Sequence, residues 1–149
     1  PEADEPRIAE AMARLGAEGI CEPLVLGDVT EAQVQALVMA RGMKEVMARR
    51  LLKKPLYRAA AMVATGEADA MVAGADSPTR RVIEAAAMAI GPAEGVNTAS
   101  SFFVMLFPDG REMIFADCAL NLEPSAEELA DIARASHASA KALGSCDSL

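Results

Sequence analysis

Gly66-Glu67-Ala68-Asp69-Ala70-Met71-Val72-Ala73-Gly74-Ala75-Asp76-Ser77-Pro78-Thr79-Arg80-Arg81 passes from a helix stop through a short apolar segment into a loop and a new helix start. Gly66 has no Cβ to oppose the left-handed turn that commonly ends a helix, so one closes there. Ala70 to Ala73 is a brief apolar run between breakers, which predicts a strand covered on both faces. Gly74 leaves the backbone bare. Ser77 is a good N-cap and Pro78 suits the first helical position, so Thr79, Arg80 and Arg81 fall in the first helical turn. A strand that ends in a loop and a helix start is where α/β folds place ligands.

Arginines at a helix N-terminus oppose the helix dipole, at about 0.3–1 kcal/mol each when exposed and uncompensated. Two readings follow. First-turn N–H groups, the hydroxyls of Ser77 and Thr79 and two guanidinium groups make a site for phosphate or carboxylate. Alternatively both arginines are solvated, or paired with Asp76, Glu84 or other surface acids.

With 149 residues the chain is the size of one ordinary domain, expected to span 1–149 as a single α/β unit. Hydrophobic residues make up 52% of it, but no apolar run approaches the ~20 residues of a membrane span, so no membrane partner is expected. There is no Trp and only one Tyr, which removes the stacking platforms that bind bases. The net charge of −8 would repel nucleic acid and anionic lipid. Cys21, Cys118 and Cys146 are odd in number and widely spaced, which argues for reduced thiols, a cytoplasmic setting and no metal site. The acidic start at Pro1-Glu2 resembles no signal or transit peptide. Charge is unevenly spread: Arg41, Lys44, Arg49, Arg50, Lys53, Lys54 and Arg58 lie in one stretch whose only acid is Glu45. Such a segment either focuses an anionic small molecule or is a solvated helix face.

In chain order, residues 7–15 carry Ile8, Ala11, Met12 and Leu15 at helical spacing and predict a core-packing helix. Leu24-Val25-Leu26 reads as a short buried strand. Thr30 with Gln33 matches a capping box, and so does Ser125 with Glu128 before the last helix. Pro55 separates two helices, and Val82, Ile83 and Met88 are expected core contacts of the helix from Pro78 to Ile90. Ser100–Phe107 and Met113–Ala119 flank the turn Pro108-Asp109-Gly110-Arg111 and predict a hairpin. Strands alternating with helices give an α/β class, read as a three-layer α/β/α sandwich on a mostly parallel sheet plus one hairpin.

Three stretches together resemble phosphate acetyltransferase (phosphotransacetylase) and its relatives: Gly66 to Ala75, Ser100-Ser101-Phe102-Phe103-Val104-Met105, and Phe115-Ala116-Asp117-Cys118-Ala119-Leu120-Asn121-Leu122-Glu123-Pro124-Ser125 onward to Ala133. Pro1 to Gly27 resembles that family's opening helix and strand. The resemblance implies the isocitrate/isopropylmalate dehydrogenase-like fold of two α/β domains, with the active site in the cleft between them and these residues forming the first part. It implies transfer of an acetyl or short acyl group between coenzyme A and inorganic phosphate. Coenzyme A is then a substrate, no cofactor is tightly held, the partners are small molecules, and a homo-oligomer is expected. Ser77, Thr79, Arg80 and Arg81 become phosphate contacts, with Arg41 as a helper.

The departures from the pattern are specific. Members are about twice this length, and their second half carries the Ser, Arg and Asp that handle the coenzyme A thiol, so the catalytic residues are not among these 149. The chain is shorter than usual after Gly27, the helix-start arginine of usual members sits about two positions beyond Arg81, and Val38 stands where an upstream arginine is usual. Ser100 and Ser101 either contact a ligand or satisfy the sheet edge. Asp117 and Asn121 either face the cleft or cap the strand-to-helix turn. His137 and Cys118 have simple packing roles. A second function class is a non-catalytic binding or interaction domain, as in phosphotransacetylase-like regions fused to other enzymes.

Overall fold

The computed structural model describes residues 1–144, so Cys146 lies outside the described residues. Its elements are α1 (Pro6–Ala17), α2 (Glu31–Arg41), α3 (Glu45–Leu52), α4 (Pro55–Ala64), α5 (Thr79–Ala89), β1 (Phe102–Leu106), β2 (Glu112–Ala116) and α6 (Ala126–Ala142). They fall into two units, Pro1–Gly91 and Pro92–Leu149.

In the first unit, α2 starts where the sequence says it should. Thr30 accepts from the Gln33 N–H, and the Gln33 side chain accepts in return from the Thr30 N–H. Gly42, with positive φ, ends the helix. Pro55 separates α3 from α4, and Gly66 closes the chain past α4 with N–H bonds back to the last turn. The four helices α2 to α5 pack around Val34, Leu37, Ala48, Leu52, Ala60, Ala61 and Ala89. Small residues on α4 and α5 let the helix backbones approach closely, so the core is alanine-lined with Leu37 and Leu52 as its largest fully buried apolar side chains. Gln33 is buried too, and its amide donates to Glu67 at 2.9 Å, which satisfies it.

Three expectations fail here. α1 contributes no buried residue, so its stripe of Ile8, Met12 and Leu15 is only half-covered. On α5 the buried positions are Ala85 and Ala89, while Val82, Ile83 and Met88 are half-buried. Residues 24–26 and 70–73 belong to no ladder, and Val25 and Val72 are 62% and 84% exposed. A strand needs a partner for its N–H and C=O groups, and neither segment has one among the described residues.

In the second unit, β1 and β2 pair antiparallel in the register Phe102↔Ala116 to Leu106↔Glu112 around the Pro108–Gly110 turn. Among the described residues the sheet is this hairpin alone, in place of the mostly parallel sheet expected. Both of its faces are apolar: Phe103 is 61% exposed on one, and Phe102 and Val104 are half-open on the other. α6 begins at the second capping box, with Ser125 accepting from the Glu128 N–H and Glu128 accepting from the Ser125 N–H. It packs on β2 and buries Ile132 and Ala140.

Candidate functional site

The loop before α5 is built differently from its sequence reading. Pro78 is the N-cap, Thr79 is the first helical residue, and no side chain caps the helix. Ser77 stands one position outside the cap, and its hydroxyl lowers the pKa of the Glu2 carboxylate. The same carboxylate accepts from three successive backbone N–H groups, Gly74 at 2.9 Å, Ala75 at 3.0 Å and Asp76 at 3.3 Å. Gly74 has φ 120°, a value that L side chains rarely adopt. Successive N–H groups turned to one side form a concavity for an anion. The Ser77 hydroxyl, and then the three N–H groups, hold Glu2 below the usual glutamate range against the opposing effect of burial. From α1, Arg7 donates to the Ala75 carbonyl at 3.2 Å and pairs with Glu5 at 2.6 Å.

Thr79, Arg80 and Arg81 stand exposed at the uncapped start of α5. The Arg80 guanidinium pairs with Glu84 one turn on at 2.9 Å, but it is 89% exposed, and such pairs contribute little and yield readily to a competitor. Arg41 is not with them. Its guanidinium donates to the carbonyls of Ala87 and Met88 at the other end of α5, where a cation complements the helix dipole. Eight residues of helix, about 12 Å, separate the two places. Three more residues of the basic stretch are engaged: Arg49 bonds Glu31 and Glu45, Arg58 donates to the Gly27 carbonyl, and Lys54 lies over the Tyr57 ring.

In the second unit, Ser101, Asp117 and Asn121 form one net. Asp117 Oδ1 accepts from the Ser101 N–H at 2.9 Å and from the Ser101 hydroxyl. Its Oδ2 accepts from the Asn121 N–H at 2.6 Å, the Asn121 side-chain amide at 2.8 Å and the Leu120 N–H at 3.2 Å. Ser101 Oγ in turn accepts from the N–H groups of Cys118 and Ala119, and Asn121 donates to the Ala99 carbonyl. Burial pushes the Asp117 pKa up, but the bonds from Ser101 and Asn121 outweigh it and hold the carboxyl well below the usual range. These contacts tie β2 to the start of β1 and shape the turn toward α6. Ser100 instead lines a groove of about 240 Å³ with Thr98, Phe102, Ser136 and Ser139.

A sequence model of the phosphate acetyl/butaryl transferase family matches residues 32–147, which take in the Gly74–Arg81 loop and helix start, the hairpin and the Asp117–Asn121 turn. The chain belongs to this family. It is 34% identical over 173 aligned positions to the phosphate acetyltransferase of Pseudomonas aeruginosa, covering 97% of this chain and 24% of that protein. With the phosphate acetyltransferase of Paracoccus denitrificans it shares 36% identity, over 89% of this chain and 49% of that protein. A phosphotransacetylase crystal structure from Streptococcus pyogenes superposes with a TM-score of 0.80 at 28% identity, covering 89% of this chain and 50% of that one. The chain thus spans about a quarter of the Pseudomonas aeruginosa protein and about half of the other two. As a phosphate acetyl/butaryl transferase relative, it keeps an α/β fold class with six helices and one hairpin among the described residues.

Sequence reasoning missed Glu2 and Arg7. Their contacts with the loop span 68 to 74 positions, and no local signal joins an acid at residue 2 to a glycine at residue 74.

Proposed function

We propose that these residues are the first part of a phosphate acyltransferase that moves an acetyl or other short acyl group between coenzyme A and inorganic phosphate. In that reaction a phosphate oxygen attacks the thioester carbonyl carbon, the C–S bond breaks, and the coenzyme A thiolate leaves. The observation that carries the reading, beside family membership, is the start of α5: an uncapped helix N-terminus with Thr79, Arg80 and Arg81 exposed around it. Donors and positive charge converge there on a place for an anion. Ser77 and Thr79 frame it, while within the second unit Ser101, Asp117 and Asn121 shape the turn before α6. Arg41 acts from a distance by fixing the far end of α5. The groups that handle the thiol belong to the half of the relatives' length that this chain does not span. In a family-length protein, residues 24–26 and 70–73 become strands of a mostly parallel sheet within a three-layer sandwich, which is why they are apolar yet unpaired alone. Coenzyme A is a substrate, no cofactor is tightly held, and the setting is cytoplasmic.

Residues 1–149 are expected to bind inorganic phosphate weakly and to convert no acetyl phosphate and coenzyme A. Replacing Arg80 and Arg81 together by Ala should weaken phosphate about tenfold, the equivalent of one charge-assisted contact. Titration followed at the amides of Thr79 to Val82 checks this, and unchanged affinity in the double variant removes the anion-site reading. If phosphate binds but the family-length protein shows no acyl transfer, the second reading holds, a binding domain related to the transferases.

The exposed Phe102, Phe103, Leu106, Met113 and Phe115 also support the homo-oligomer. The hairpin should pair with that of a second copy. Sedimentation at concentrations on the order of tens of micromolar is expected to find dimers, and a monomer throughout that range rejects the assembly.

A further inference from the structure

We infer that Glu2 is a positioning residue for the anion site, acting as a built-in carboxylate ligand that holds the Gly74–Ser77 loop in the shape from which α5 starts. Three donors on consecutive residues converge on one carboxylate, the N–H groups of Gly74, Ala75 and Asp76. Arg7 grips the same loop from the opposite polarity through the Ala75 carbonyl. Among the described residues, Glu2 and Arg7 are the side chains that bond the Gly74–Asp76 backbone. The loop is exposed from Gly74 to Asp76, it belongs to no ladder, and no side chain caps the helix that follows. Without an anion in the concavity, three N–H groups would point at one another's partial charges, and the loop would relax toward water.

The consequence concerns which donors remain for substrate. With the loop N–H groups engaged by Glu2, phosphate is left the start of α5 itself: Thr79 and the two arginines, with the Ser77 hydroxyl at its edge. Glu2 therefore touches no substrate and sets where those groups stand. This rests on the reading of the α5 start as the phosphate site, but the loop contact can be tested independently of it.

A Glu2→Ala variant opens the concavity to an added carboxylate. In the full chain, the amide signals of Gly74, Ala75 and Asp76 should shift on substitution, then return toward the wild-type positions on titration with sodium formate against a sodium chloride control of equal ionic strength. Phosphate affinity at Thr79 to Arg81 should fall about tenfold in Glu2→Ala and recover with formate. Glu2→Gln keeps the size and loses the charge, so it should show the same loss without needing the loop to refold around a truncated side chain. A merely structural Glu2 would lower stability without formate rescue. The inference is overturned if the three amides in Glu2→Ala match wild type, or if formate moves them no more than chloride does. If formate rescues the loop amides while the wild-type chain binds no phosphate, the positioning contact stands and the phosphate reading of α5 falls.

Discussion

A Leu37→Ala variant is expected to lose about 3–5 kcal/mol of stability in the first unit, the range for removing a buried leucine where the cavity cannot collapse. Leu37 is fully buried and sits in the cluster that α2 shares with α3, α4 and α5. The cluster's members from α4 and α5 are Ala60, Ala61 and Ala89, which have no longer side chain to swing into the void. Closing it would require helix movement, and four helices meeting at one place resist that. A loss of this size is a large fraction of what a domain of this size has in total. The single tyrosine, Tyr57, lies on α4 in the same unit, and all four phenylalanines lie in the second. Tyrosine emission during urea unfolding therefore reports the affected unit directly. Met39→Ala, on the same helix but 84% exposed, is the control and should stay within about 0.5 kcal/mol of the parent. A Leu37→Ala loss below about 1 kcal/mol would mean that this cluster is not the unit's core.

What the sequence reveals divides by the range of the interaction. Both capping boxes, the stop at Gly66, the break at Pro55 and the hairpin around Pro108–Gly110 are settled by residues a few positions apart, and each was readable. Strand character at 24–26 and 70–73 was read from composition, but a strand exists only when another segment supplies its hydrogen bonds, and composition does not name that segment. The same limit applies to the candidate site. Ser77 has the chemistry of an N-cap, but α5 starts at Thr79 with Pro78 in the cap position, which leaves Ser77 one residue too early. Arg41 has the charge of an anion contact, and tertiary packing turned it toward the carbonyl end of α5 instead. Arg80 and Arg81 were locatable because helix starts are local, which is also why the anion site is the part of the function most visible from sequence.

Asp117 is the polar counterpart of Leu37 in the second unit, and Asp117→Ala should destabilise that unit by about 2–3 kcal/mol, the range for losing hydrogen bonds to a charged group. Its two oxygens collect donors from Ser101, Leu120 and Asn121. Removing it leaves the Ser101 and Asn121 donors to find water at a half-buried turn. The charge matters as well as the shape, and pH separates them. The native carboxyl binds its proton less readily than the unfolded one, because hydrogen bonds from Ser101 and Asn121 outweigh the burial that opposes the charge. Its contribution to stability is therefore fully present above the unfolded aspartate value, about 3.9. As pH falls below that value the unfolded chain takes up the proton first, and the contribution is lost progressively until the native carboxyl is protonated too. Glu128, lowered by the Ser125 cap, acts in the same direction, so wild type alone does not isolate Asp117. The difference between wild type and Asp117→Asn does: it should shrink as pH falls from about 5 toward 2, while Glu128 cancels between the two proteins. Hydrogen exchange of the β1 and β2 amides and phenylalanine emission both report this unit. A difference that stays constant with pH would show that the net depends on the shape of the side chain and not on its charge.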